Sequence, residues 1–174
     1  WGKEERYEIM DEEVSILKAL WTARGRIDFD GKFYQLKGAE IRPHPLQKPH
    51  PPLLIGGNSK RALRRTVELG DAWHPFIVPK MVTDTARTAN ISSTEDISEA
   101  IRYMAEHCEK VGRKEPPQVI CSGTFTIKPG FSAQEAIDNY SELKEIGVHG
   151  SGASVAADTR GEWCDLARQF GEEV

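Results

Sequence analysis

A paired glycine followed by a polar segment is the feature of this chain best suited to chemistry. Gly56 and Gly57 come directly after the short apolar run Leu53–Ile55, and Asn58 and Ser59 follow them. Glycine lets the backbone approach a ligand closely or adopt positive φ, and Asn or Ser can cap the helix that comes next. The segment therefore predicts a strand-to-helix turn whose free N–H groups bind a phosphate.

Positive charge follows this turn. Lys60, Arg61, Arg64 and Arg65 fall within the first two turns of the predicted helix, where they add to the positive end of the helix dipole. We expect these basic side chains to lie on the solvent side, opposite the apolar stripe of the same helix, which comprises Ala62, Leu63, Thr66, Val67 and Leu69. On spacing alone, an ordinary capped turn with a solvated basic face stays equally open.

The next predicted strand, Asp71–Phe76, ends in aromatic and polar residues. In parallel β/α proteins, residues at the carboxyl ends of strands carry the active site. His74 is therefore the catalytic candidate, as a proton donor or a charge-stabilising group, because imidazole titrates near neutrality. A hydrogen-bonded structural role for His74 is the alternative. Residues 53–55 are expected to form a parallel neighbour that is buried on both faces.

The segment covering residues 41–75, IRPHPLQKPHPPLLIGGNSKRALRRTVELGDAWHP, resembles a signature region of the luciferase-like monooxygenase superfamily. The matching positions are Pro45, Gln47, Pro49, Pro51, Pro52, Gly56, Gly57, Ser59, Ala62, Arg65, Gly70, Asp71, Trp73 and Pro75. Ala72 departs from the pattern, since the family usually has glycine there. The resemblance implies an α/β fold, namely the C-terminal half of a (β/α)8 TIM barrel, with a cofactor phosphate at the glycine turn.

The resemblance also implies an oxidoreductase acting on a small organic substrate. The reaction would be hydride transfer with the deazaflavin coenzyme F420, or monooxygenation with FMN. F420 is favoured because its acidic tail could contact Lys60 or Arg61. The implied cofactor-binding residues are Gly56, Gly57, Asn58, Ser59, Arg61 and Trp73. The alternatives are a noncatalytic flavin-binding homologue, or a half-barrel assembly module acting through the proline-rich segment 43–52 and exposed sheet edges.

The rest of the chain alternates strand and helix patterns. Before the central unit we expect a helix over residues 8–22 and a β-hairpin over 27–41 with a two-residue Asp30–Gly31 turn. After it we expect a loop over 77–90 and strands over 119–127 and 148–157. Three further helices are expected to begin at Ser92 or Ser93, at Ser132 and at Thr159. This pattern predicts about four βα units in a single partial domain over residues 1–174. Such a half-barrel has two unpaired sheet edges, which a missing N-terminal half or a homo-oligomer would cover.

Composition narrows the class of protein. The chain has 174 residues, of which 39% are apolar and 29% charged, and its formal net charge of -4 argues against nucleic-acid binding, which needs a basic face. No apolar run reaches the length of about 18 residues that spans a bilayer, and no signal-peptide pattern precedes the first helix. These observations favour a cytoplasmic protein without membrane association.

Cysteine and histidine spacing indicates no metal site. Cys108, Cys121 and Cys164 lie far apart, and the first two fall on predicted core positions. His44 and His50 have no carboxylate or thiolate at ligand spacing. We therefore expect no metal ion and no disulfide.

The sequence also predicts the location of three further side chains. Trp21 and Trp163 lie on apolar stripes of predicted helices and are expected in the core. His149, on the last predicted strand, either lines the mouth of the barrel or serves a structural role, and the structural role is favoured by the small residues around it.

Overall fold

A computed structural model describes residues 2–78, 80–86 and 88–174. The chain forms two compact units, Trp1–Leu53 and Leu54–Val174. The single partial domain over residues 1–174 stays a prediction. No helix in the described ranges is long and apolar enough to cross a membrane.

The first unit contains one helix and one hairpin, as predicted. Helix α1 (Lys3–Thr22) begins earlier than expected, and strand β1 (Ile27–Asp30) pairs antiparallel with β2 (Gln35–Ala39). The predicted two-residue turn is wrong, because Asp30 pairs with Gln35 and residues 31–34 form the loop.

A carboxylate explains this longer loop. The side chain of Glu12 on α1 accepts hydrogen bonds from the amides of Lys32, Phe33 and Tyr34 at 2.7, 3.0 and 3.1 Å. Desolvation opposes ionisation of this carboxyl, but these backbone hydrogen bonds outweigh it and lower the pKa of Glu12. The Asp-Gly pattern predicts a shorter turn because it does not include this contact with a residue distant in sequence.

The second unit is a four-stranded parallel sheet in the order β3-β4-β5-β6. Its elements in chain order are β3 (Leu54–Gly56), α2 (Lys60–Leu69), β4 (Ala72–His74), α3 (Lys80–Ala86), α4 (Thr94–Val111), β5 (Gln118–Ile127), α5 (Ala133–Glu145), β6 (Gly150–Val155) and α6 (Arg160–Glu173). The predicted alternation is therefore present, with the short helix α3 inside the predicted loop.

Hydroxyl caps start the helices of this unit where the sequence predicts them. Ser59, Ser93, Ser132 and Thr159 each accept a hydrogen bond from the amide three residues on, at 3.1–3.3 Å. Each bond satisfies one of the N–H groups that a helix leaves unpaired at its start. The starts of these helices are therefore defined by local chemistry.

The core lies between the sheet and its helices. The buried cluster comprises Leu63, Val67, Trp73, Ile91, Ile97, Ala100, Met104, Cys108, Val119, Cys121, Leu143 and Val148. Strand β3 is buried on one face only, contrary to prediction: Ile55 is 4% exposed and Leu54 is 50% exposed. The reason is that α2 packs against β3 on the Ile55 side, whereas the described residues leave the Leu54 side half open.

The two tryptophans predicted in the core are not fully buried. Trp163 is 50% exposed, and Trp21 is half-buried, with its ring centroid 6.2 Å from that of His50. Trp163 lies in the first turn of α6, which follows the edge strand β6 and packs through Leu166 and Phe170 instead. The sequence of a helix shows that it has an apolar stripe, but it does not show whether another element packs on that stripe.

Strands β5 and β6 continue beyond the ends of β3 and β4. Strand β4 ends at His74, whereas β5 runs to Ile127 and β6 to Val155. The β5–β6 register shifts between Ser122 and Phe125, next to Gly123 at φ 69°. Residues 123–127 of β5 and 153–155 of β6, which pair after this irregularity, are called the ribbon below.

Arg113 fixes the C-terminal end of α2. Its Nη1 donates to the carbonyl oxygens of Val67 and Gly70 at 2.7 and 2.8 Å, and to that of Thr66 at 3.3 Å. The Val67 carbonyl is one of those that a helix end leaves without an intrahelical partner, and the Thr66 carbonyl also accepts from the Gly70 amide at 3.0 Å. The guanidinium therefore holds α2 in place, and with it the glycine turn at the other end of this helix.

Replacing Arg113 with Ala should lower the free energy of unfolding by about 2 kcal/mol, since hydrogen bonds to charged groups contribute about 1.5–3 kcal/mol. Denaturant unfolding measures the change. Arg168→Ala is the control, because its exposed pair with Asp165 spans 3.1 Å and such pairs contribute less than about 1 kcal/mol. Equal losses in the two variants would contradict the role of Arg113.

Candidate functional site

The glycine turn has the predicted backbone geometry at Gly57. Gly57 adopts φ 108°, and a Cβ at this position would lie 3.4 Å from the Cβ of Ala62. A side chain is therefore strained here by the backbone conformation itself. A Cβ on Gly56 would meet only the carbonyl oxygen of His74, at 4.0 Å. The two glycines leave an open backbone surface at the carboxyl end of β3.

The amides of this turn point to an anion site. Over the described ranges, no main-chain carbonyl accepts a hydrogen bond from the amides of Asn58 or Ser59, whereas the pairing of Gly56 with His74 uses the Gly57 amide within the β3–β4 ladder. Helix α2 begins at the next residue, with the Ser59 Oγ accepting from the Ala62 amide at 3.1 Å. Free amides and a helix N-terminus together favour a negatively charged group.

The Asn58 side chain joins three loops. It is buried, and its Nδ2 donates to the carbonyls of Phe76 and Ala89, both at 2.8 Å. Its Oδ1 accepts from the Phe76 amide, also at 2.8 Å. These bonds connect the glycine turn to the segments after β4 and before α4. Only the backbone N–H of Asn58 is thus available to a ligand, while its side chain positions the turn.

The Trp73 side chain lies behind the same turn. The residue has 0% exposure, and its Nε1 donates to the carbonyl of Gly57 at 2.9 Å. Trp73 belongs to the core cluster, so its indole supports the turn from the helix side of the sheet. Direct contact between Trp73 and a cofactor stays a prediction that this geometry does not favour.

His74 ends β4 at the same edge of the sheet. Gly56 and His74 are register partners in the parallel β3–β4 pair. The Nε2 of His74 lies 3.1 Å from the Oγ of Ser122 on β5. Sequence reasoning missed Ser122, because no local pattern shows which residue of β5 stands beside the end of β4.

The basic residues of α2 separate into two groups, which corrects one prediction. Arg65 is buried at 6% exposure, not solvated. Lys60 is exposed and lies 5.6 Å above the ring of Tyr103, and Arg64 donates to the Tyr103 hydroxyl at 2.9 Å. Because α4 packs beside α2, the buried side of α2 is wider than the stripe that faces the sheet. Arg61 is half-buried in the first turn.

His149 lies away from this edge. Its amide donates to the carbonyl of Val119 at 2.8 Å, and its Nδ1 accepts from the Val119 amide at 3.1 Å. These bonds place His149 at the start of β6, near the amino end of β5. Its side chain thus has the structural role that the sequence favoured.

The cysteines have the burial that the sequence predicts. Burial raises the pKa of Cys121 to about 11 and also raises the pKa of Cys108, whereas Cys164 is exposed. Among the residues that the structure describes, no cluster of three or more His, Cys, Asp or Glu side chains could hold a metal ion.

Comparison with known proteins bears on this arrangement. A model of the luciferase-like monooxygenase family matches residues 2–168. An FMNH2-dependent dimethylsulfone monooxygenase from Pseudomonas putida is 35% identical over 71 residues, which cover 41% of this chain and 19% of that protein.

Solved structures share the fold. An F420-dependent secondary alcohol dehydrogenase, in complex with an F420-acetone adduct, superposes with a TM-score of 0.74 at 13% identity, covering 100% of this chain and 63% of that one. The coenzyme F420-dependent tetrahydromethanopterin reductase from Methanopyrus kandleri gives 0.69 at 13% identity, covering 97% and 62%. The chain thus spans less than two thirds of these relatives, and the predicted partial barrel is confirmed.

Thiol labelling tests the burial of the cysteines. In the native protein at pH 8, Cys164 should react with iodoacetamide first, because the thiolate is the nucleophile and the Cys121 thiol stays protonated below its pKa of about 11. Peptide mass spectrometry after a short exposure measures the labelling. Denatured protein, in which all three cysteines react, is the control. Equal native labelling of Cys121 and Cys164 would contradict the structure.

Proposed function

Because the chain belongs to the luciferase-like monooxygenase family, we propose that it is part of an oxidoreductase that binds a flavin or deazaflavin coenzyme. The coenzyme phosphate binds at the turn Gly56–Ser59. The observation that carries this proposal is the Gly57 turn, at φ 108°, followed at the carboxyl end of β3 by the Asn58 and Ser59 amides, which have no main-chain acceptor among the described residues. His74 lies next to it in the sheet.

The residues present fit a phosphate. The Cβ-free surface at Gly56 and Gly57 allows close approach of oxygen atoms to the backbone. The Ser59 hydroxyl uses its oxygen to cap α2, so its own proton remains available to a ligand. Lys60 and Arg61 add positive charge at the helix start, where the dipole has the same sign.

Each residue of the site has a distinct task. The amides of Asn58 and Ser59 bind the phosphate, while the Asn58 and Trp73 side chains hold the turn in shape. His74 exchanges a proton with the bound substrate, or stabilises negative charge beside it. A bound coenzyme of this class would supply the hydride transfer or oxygen activation, while the protein supplies orientation and electrostatics.

F420 is the coenzyme that the charges favour, with FMN as the alternative. The deazaflavin tail extends beyond the phosphate and is acidic, so it gains from cations next to the turn. Lys60 is exposed there, and Arg61 lies in the same first turn of α2. FMN ends at its phosphate and needs only the turn. Relatives that use each coenzyme share the fold or sequence of this chain.

The reaction needs more of the barrel than this chain supplies. In the described sheet, β3 and β6 are edge strands, and Leu54 on β3 is 50% exposed. A further part of a (β/α)8 barrel would cover these edges and complete the pocket for a small organic substrate. We propose that a missing half-barrel has this role, with a second copy of the chain as the alternative.

Gly57→Ala in the full-length protein should weaken coenzyme binding at least about tenfold, which corresponds to about 1.4 kcal/mol. The added Cβ would lie 3.4 Å from the Cβ of the buried Ala62, in a backbone conformation that strains any side chain, so the turn and its amides would shift. Fluorescence titration with F420 and with FMN measures the dissociation constants.

Gly130→Ala is the matched control for this substitution. Gly130 also has positive φ, at 73°, and a Cβ there meets no atom within 4 Å. Both variants carry backbone strain of about 1–2 kcal/mol, but only Gly57→Ala should lose affinity. If Gly57→Ala binds both coenzymes as tightly as the wild type, the phosphate site is elsewhere.

Arg61→Glu distinguishes the two coenzymes. Reversing this charge should weaken F420 binding about tenfold at low salt and FMN binding less, because only F420 extends an acidic tail past the phosphate. The difference should shrink as salt rises, since exposed charges are screened within about 8 Å at physiological ionic strength. Arg168→Glu on α6 is the control for net charge. Unchanged F420 affinity in Arg61→Glu would contradict the proposed contact between Arg61 and the F420 tail.

A further inference from the structure

Ser122 makes the one side-chain hydrogen bond that the structure describes for the His74 imidazole. The His74 Nε2 and the Ser122 Oγ are 3.1 Å apart. The Nδ1 of the same ring has no partner among the described residues. The two ring nitrogens of His74 are therefore in different environments.

The local shape of β5 gives Ser122 this position. Ser122 pairs in register with Gly152, and the next paired residue of β5 is Phe125. Gly123, at φ 69°, and Thr124 form the irregularity between them, and the Thr124 Oγ1 pairs with the Ser151 Oγ at 2.6 Å. Bulges of this kind re-aim side chains next to active sites. Here the bulge begins directly after the hydroxyl that meets His74.

We propose that Ser122 is the positioning residue for His74. The neutral imidazole donates its Nε2–H to the Ser122 hydroxyl and keeps its lone pair on Nδ1. This inference rests on the proposed function, because it assigns Nδ1 as the atom that exchanges a proton with the substrate.

Histidine chemistry supports this division of roles. The contact with Ser122 leaves Nδ1 as the ring nitrogen available to a substrate, and a hydroxyl that accepts from Nε2–H leaves a lone pair on Nδ1 to take up a proton. A proton taken up at Nδ1 gives an imidazolium whose Nε2–H still bonds to Ser122, so the ring need not turn during the transfer. Ser122 itself forms and breaks no covalent bond.

A nucleophilic Ser122, activated by His74, is the competing interpretation. That arrangement needs a third group to orient the base through its other nitrogen. In the described ranges, nothing contacts Nδ1 in this way. The positioning role is therefore the one that the geometry supports.

Two substitutions test the proposal, Ser122→Thr and Ser122→Val. The Thr and Val side chains have the same shape, but only Thr keeps the hydroxyl. Both β-branched residues suit a strand, and circular dichroism confirms that each variant folds. Imidazole 15N shifts of the full-length protein without coenzyme report the His74 tautomer. We expect the wild type and Ser122→Thr to hold the Nε2–H form, and Ser122→Val to show averaged shifts.

Kinetics supply the second measurement. Ser122→Val should lower kcat at least about tenfold, since general acid–base catalysis contributes about 10²–10⁴-fold. Its dissociation constant for the coenzyme should stay at the wild-type value. Ser154→Ala, at an exposed serine of β6, is the control and should change neither the His74 shifts nor kcat.

Three results would overturn the positioning role: unchanged His74 shifts in Ser122→Val, averaged shifts with an unchanged kcat, or covalent labelling of Ser122 by a fluorophosphonate. A wild-type protein that binds neither F420 nor FMN would instead overturn the proposed function. The tautomer measurement needs no coenzyme, so the two failures are distinguishable.

Discussion

The three hydrogen bonds of the Asn58 side chain are the constraint on which the site depends. A buried amide that lacked a partner would cost about 1–3 kcal/mol, so this side chain and its partners strongly favour one arrangement. Its partners at Phe76 and Ala89 belong to segments that are distant in sequence from the glycine turn. The Trp73 indole adds a fourth bond from the core side, to the Gly57 carbonyl. The turn is therefore rigid before any ligand binds, and preorganised donors stabilise an anion better than mobile ones.

The same constraint explains why structural and binding roles separate within four consecutive residues. Gly56 and Gly57 provide open backbone, Ser59 starts α2, and Asn58 contributes its side chain to the protein interior and its amide to the site. Arg113 holds the far end of α2 through three carbonyls. Both ends of this helix are thus fixed by side chains from outside it, which keeps its N-terminal dipole directed at one point.

The sequence predicts helix caps and tight turns, but it does not predict contacts between residues that are distant in sequence. Ser59 and Gly57 were predictable because helix caps and positive-φ turns have residue preferences of their own. Ser122 was not, because its place beside His74 depends on the register of β4 and β5 and on the bulge after it. Arg65 and Trp163 were misplaced for a related reason. Burial depends on which element packs over a helix face, and the sequence of that helix does not contain this information.

The ribbon gives the site two unlike flanks. From Gly123 onward, the described part of β5 pairs with β6 and has no partner on the β4 side. Two-stranded ribbons twist more strongly than wider sheets, and on this flank β5 has a strand partner on one side only. The opposite flank, at the Gly57 turn, is braced by buried hydrogen bonds. The two sides of the turn therefore differ in support: buried side chains brace one, and a single neighbouring strand supports the other.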